Sequence, residues 1–109
     1  MVGLIAFGHP AKALAPVVPP PPPTIEEKIL AAFPDAPIML AVARAESRLV
    51  PYAKNPKSSA KGLFQVLDGT WIAAGCTGNV LNEDDNIACA RKIYDDSGLR
   101  PWDASGPWY

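Results

Sequence analysis

The chain has 109 residues, of which 49% are hydrophobic and 19% charged, with thirteen prolines and a formal net charge of −1. That length limits it to one small domain, and a net charge so close to zero gives no reason to expect a nucleic-acid partner. No stretch approaches the roughly 20 apolar residues of a membrane span, so no transmembrane helix is expected.

The opening "MVGLIAFGHPAKALA" joins a short apolar run, Val2 to Phe7, to the small-residue patterns "AKA" and "ALA" of a signal-peptidase site. It lacks a basic n-region, and Pro10 interrupts it. Residues 1–15 therefore read as a signal-peptide remnant whose start lies upstream, or as a disordered leader, and the former implies a secreted or envelope location with a tether through the leader. "APVVPPPPPT", Ala15 to Thr24, reads as a polyproline II spacer over 16–23, stiff and extended. Residues 24–109 are left to fold.

Thr24 with Glu27 three positions on forms a capping box and predicts a helix "IEEKILAAF" that ends before Pro34. Asp35 is the predicted cap of the next helix, with Pro37 in its first turn, where a missing N–H costs nothing. Met39, Val42, Glu46 and Leu49 recur at spacings of three, four and three, which places Glu46 on an apolar stripe. Pro51 stops that helix near Leu49. After an Asn-, Pro-, Lys- and Ser-rich loop comes "GLFQV", where Gly62 allows close approach of another backbone. Asp68 is the predicted cap of a third helix, "GTWIAA", and Asn82 of a fourth, "EDDNIACARKIYDDS", with Ile87, Ala90 and Tyr94 facing inward and Gly98 at its end. The fold class is mainly α, with about four helices and no strand pair.

Cys76 and Cys89 are the only cysteines, and His9 the only histidine, so no four-ligand zinc site can form. The pair is expected as a disulfide, in an oxidising compartment, or as two buried thiols. Residues 44–61 hold five basic groups and one acid, Glu46, whereas 83–96 hold five acids against Arg91 and Lys92. A basic rim around Glu46 suits an anionic polymer, although such runs also serve as solvated faces.

Glu46 departs from an ordinary surface glutamate in two ways. Burial disfavours its ionised form, and so does the negative end of the helix dipole in the last turn. A glutamic acid that holds its proton near neutral pH is what cleavage of a glycosidic bond needs, because the leaving oxygen must be protonated as its bond breaks.

The stretch "ARAESRLVPYAKNPKSSAKGLFQV", Ala43 to Val66, resembles the opening of the lytic transglycosylase SLT family of the lysozyme-like superfamily. That family has a catalytic Glu-Ser at a helix end, an Asn/Pro/Ser-rich loop, and a Gly-Leu-Met-Gln segment. Glu46 and Ser47 match the first motif, and Gly62, Leu63, Phe64 and Gln65 the second, with Phe in place of Met. The later "DDNIACARKIYDDSGLRPWDAS" is similar to compact secreted members. The resemblance implies a small lysozyme-like domain that binds peptidoglycan glycan strands and needs no metal or organic cofactor; a monomer without a nucleic-acid partner is expected. Glu46 would be the acid and then the base, cutting between N-acetylmuramic acid and N-acetylglucosamine to leave a 1,6-anhydro end. Ser47 and Gln65 would hold the sugar or the acid. The family's Ala-x-Tyr-Asn segment, whose tyrosine contacts the acid, has no counterpart here, and Tyr94 and Trp102 are the aromatic residues expected in that space. A second catalytic carboxylate is not expected, since Asp68 and Asp84 read as helix-start residues and Asp85 and Asp103 as solvated acids. Two alternatives stand beside this reading: a lysozyme-type hydrolase on the same fold, and a non-catalytic module that binds cell-wall glycan.

Overall fold

The computed structural model describes residues 16–106, and the expected leader over 1–15 lies outside them. Residues 16–24 are exposed and outside regular secondary structure, with Thr24 in an extended conformation. Four α-helices follow: α1, Ile25–Ala32; α2, Ile38–Ser47; α3, Asp68–Ala73; and α4, Glu83–Ser97. A 3-10 helix, Arg100–Ser105, closes the described chain. The fold is mainly helical, and β-structure among the described residues amounts to isolated bridges of Lys61 with Lys54 and Val66. No described helix is long and apolar enough to cross a membrane.

Local signals account for both ends of α1 and the start of α4. Thr24 accepts from the Glu27 amide at 3.1 Å and the Glu27 carboxylate accepts from the Thr24 amide at 2.8 Å, a reciprocal cap that satisfies two otherwise unpaired donors. Asn82 accepts from the Asp85 amide at 3.0 Å, and three acids occupy the first turn of α4, where the helix dipole favours them. Gly98, at φ 62°, ends that helix.

Two expected caps are drawn off by distant partners instead. Asp35 forms a two-pronged ion pair with Arg91 of α4, and Pro37 begins α2 without a side-chain cap. Asp68 lies inside the first turn of α3, behind Leu67, with its carboxylate on Lys61 at 2.7 Å. In each case a cation from elsewhere in the chain outcompetes the local amide.

α1 packs on α2 and α4, and the 3-10 helix bridges α2 and α4. Their shared core is built from Ile29, Phe33, Met39, Val42, Leu63, Phe64, Ile87, Ala90, Ile93 and Trp102, all nearly or wholly buried. Tyr94 is half-buried, packed against that core and set edge-on against Phe33, and Ile93 beside it is buried too. Arg91 lies over both rings, 5.2 Å and 5.6 Å from their centres. Cys76 and Cys89 are joined in a disulfide that ties the loop after α3 to the middle of α4. In so small a body, where burial alone is limited, this crosslink holds down a loop that contributes little to the core.

Candidate functional site

α2 delivers Glu46 in its final turn. Met39 and Val42, on the same stripe, are fully buried, while Glu46 is only half-buried, so the carboxyl stands where the core meets solvent. Burial pushes its pKa above the ordinary glutamate value, and the Ser105 side chain, hydrogen bonding to the ionised form, draws it partly back. Arg44 does not neutralise it: that guanidinium is exposed and lies 3.9 Å from Glu26 of α1.

Ser47, next in sequence, is buried and turned inward. Its hydroxyl donates to the Ala43 carbonyl at 3.0 Å and accepts from the Leu49 amide at 3.2 Å, which ends the helix. The chain then passes through two consecutive left-handed residues, Arg48 at φ 55° and Leu49 at φ 61°. A side chain in that region costs on the order of 1 kcal/mol or more.

The Gly62–Gln65 segment is the other half of the motif pair. Its backbone is clamped on both faces of one peptide-bonded residue: the Phe64 amide donates to Asn86 Oδ1 at 2.9 Å, and the Phe64 carbonyl accepts from the Trp102 indole at 2.9 Å. Asn86 is fully buried, and its amide nitrogen also donates to the carbonyls of Val80 and Lys61. Gly62, at φ 81°, is needed here, because a Cβ would run into the Asn86 side chain and the Val80 carbonyl. Gln65 follows at φ 49°, and its side-chain amide donates to the carbonyls of Ala53 and Gly62. Arg48, Leu49 and Gln65 are the non-glycine residues of positive φ among those described. All three flank or belong to the two motifs.

The residues singled out in the sequence are thus distributed unequally. Gln65 and Trp102 line one small depression of about 50 Å³. Trp102 itself is buried, its indole spent on Phe64, so it anchors the 3-10 helix to the segment. Tyr94 lies in the Phe33–Arg91 stack. Larger depressions of about 450 and 500 Å³ lie against the α3–α4 junction and beside Trp71 and Val80, and Glu46 is not among the residues that line them.

Two residues were missed from the sequence. Asn86 was legible in part: it shares a face with Cys89, Ala90 and Ile93, and a polar side chain on a buried stripe calls for partners. Ser105 gave no signal, since its proximity to Glu46 depends on how the 3-10 helix folds back over α2.

No curated protein and no solved structure matches the chain. Residues 24–93 match the family described as Transglycosylase SLT domain, a span that takes in Glu46, the Gly62–Gln65 segment and most of α4. Covering well over half of the sequence, that match establishes that the chain belongs to the transglycosylase SLT domain family.

Proposed function

We propose that this chain is a lytic transglycosylase that cleaves the β-1,4 bond between N-acetylmuramic acid and N-acetylglucosamine in peptidoglycan, with Glu46 as its single acid and base. The observation that carries the reading is the half-buried carboxyl at the end of α2, held above the ordinary glutamate pKa by burial in a chain of this family. Strain gathered at Arg48, Leu49 and Gln65 supports it, because backbone strain persists where a site requires it.

In the first step Glu46 gives its proton to the glycosidic oxygen, and the bond from the anomeric carbon breaks with its electron pair passing to that oxygen. The substrate's N-acetyl group assists at the anomeric carbon. Glu46, now a carboxylate, takes the proton of the sugar's 6-hydroxyl as that oxygen bonds to the anomeric carbon. No proton or water is consumed overall, and the acid is regenerated. Burial serves the first half, since it keeps the proton on Glu46 until the sugar arrives. Gln65 is the sugar-facing candidate of its segment, whereas we assign Ser47, Tyr94 and Trp102 to holding the frame around it.

The domain over 24–109 acts on glycan strands in the cell envelope, and the extended residues 16–23 keep it away from the point where a leader over 1–15 is held. Mass spectrometry of the muropeptides released from purified peptidoglycan tests the chemistry. Ends one water lighter than a reducing sugar are expected; reducing ends would make the chain a lysozyme-type hydrolase.

A further inference from the structure

Two of the surface depressions are continuous. The small one, which holds Gln65 and Trp102, shares Thr70, Ile93 and Pro101 with the depression of about 450 Å³ at the α3–α4 junction. One groove therefore starts at the Gly62–Gln65 motif and runs out between α3 and α4. Its outer part falls in the range of about 300–1,000 Å³ usual for small-ligand sites. Among the described residues that line this outer part there is no aromatic ring; Ala73, Ala74 and Ile93 share it with two charges of opposite sign, Lys92 and Asp96. Lys92 and Asp96 stand four positions apart on α4, the spacing at which side chains on a helix meet. They form no pair. Arg91, one residue earlier, takes Asp95 at 2.6 Å and also Asp35, whereas Lys92 donates to the Gly75 carbonyl at 3.1 Å and Asp96 accepts from the Ser97 hydroxyl at 2.9 Å. Among the described residues neither Lys92 nor Asp96 enters an ion pair. An ammonium has three donors and a carboxylate about four acceptor positions, so each keeps capacity for a ligand.

We propose that the outer part of this groove binds the peptide branch of peptidoglycan, Lys92 holding a carboxylate of the branch and Asp96 its amino group. The inference rests on the reading of the chain as an enzyme that acts on peptidoglycan. The glycan itself is uncharged wherever its lactyl carboxyl is closed in an amide, whereas the branch carries carboxylates and, at its diamino acid, an amine. Opposite charges on one wall of α4 match the branch and find no counterpart on the sugars. Pyranose faces favour aromatic rings, and Trp71 of α3 lines the separate depression of about 500 Å³ instead. Because the groove begins at Gln65, a strand engaged at the motif has its branch within the same channel. Strands that bear peptide are then better substrates than stripped ones.

The test reads binding and cleavage separately. The full chain, labelled with nitrogen-15, is titrated by NMR with N-acetyl-L-Ala-γ-D-Glu-meso-diaminopimelate and with the same peptide acetylated at its remaining amine. The first peptide shifts the amides of Thr70, Lys92 and Asp96. Acetylation of the amine weakens binding about two- to fivefold, the range for one solvent-exposed ion pair, and Lys92→Gln does the same. Asp96→Asn binds both peptides alike, at the weaker level. Both side chains are exposed, and the comparison of the two peptides on the wild type needs no variant at all. On soluble uncrosslinked strands, Lys92→Gln and Asp96→Asn each raise KM about two- to fivefold with kcat within about twofold, as loss of uniform binding requires, and neither changes KM on strands stripped of peptide by an amidase. No shift in the groove, or equal binding of the two peptides by the wild type, overturns the proposal. So does a rise in KM that is the same on stripped strands, since that makes the groove a glycan site. Peptide binding without glycan cleavage would count against the proposed function and leave this site standing; cleavage without peptide binding would do the reverse.

Discussion

Replacing Asn86 with alanine removes the polar centre of the fold. Its side chain accepts from the Phe64 amide at 2.9 Å and donates to the Val80 and Lys61 carbonyls at 2.8 and 3.3 Å, all from a position with no solvent exposure. The Phe64 amide, buried, would lose its partner outright, at about 1–3 kcal/mol, and the two carbonyls would add about 1 kcal/mol each. The sum of about 3–5 kcal/mol is a large share of the roughly 5–10 kcal/mol expected for a folded body of this size. Urea unfolding followed by tryptophan fluorescence measures it as a lowered midpoint at unchanged slope. Asn86→Asp is expected to be damaged too, since a carboxylate accepts from Phe64 but cannot donate to the carbonyls. A loss below about 1 kcal/mol for Asn86→Ala would refute the reasoning, because an unpaired buried amide alone costs that much.

Two further outcomes follow from the crosslink and from the acid. Reduction of Cys76–Cys89, or the double alanine variant, should lower stability by about 3 kcal/mol, the chain-entropy value for a loop of this length, read as a fall in the thermal midpoint with reductant. Glu46→Gln should leave stability unchanged well below the unfolded glutamate pKa and raise it near neutral pH. Burial lifts the folded-state pKa, so the folded wild type binds more protons than the unfolded chain in between and loses stability as pH rises through that window. Solvent reaches the half-exposed carboxyl, which keeps the gain below about 1 kcal/mol. Melting curves of both proteins at acid and neutral pH would contradict this if the difference were constant.

How much of this was legible beforehand depended on the distance over which each residue finds its partner. The capping box at Thr24 and the Asn82 cap lie within three residues of their partners, and sequence spacing alone located them. Asp35 and Asp68 looked like caps by the same rule and were captured by Arg91 and Lys61, 56 and 7 positions away, which no local rule registers. The apolar stripe placed Glu46 at the core's edge because helical periodicity is local, and the two motifs on either side of the lysine-rich loop marked the site. Burial of Trp102, the clamp on Phe64 and the arrival of Ser105 depend on how the last segment folds back across 38 or more positions. Their residue types carry no trace of that path. The disulfide fell between these cases: the absence of other cysteines fixed the pairing, but only the approach of the α3 loop to α4 decided between a bond and two thiols.

Clearing of a purified peptidoglycan suspension by the wild type and by Glu46→Gln, each shown by circular dichroism to be folded, tests the central claim most directly. The wild type should clear the suspension, and the glutamine variant, which matches the side chain in shape but has no proton to give, should slow clearing at least a hundredfold, the lower range for loss of a general acid. Equal clearing by the two proteins would contradict the assignment of Glu46, and binding without clearing by either would leave a glycan-binding module in place of an enzyme.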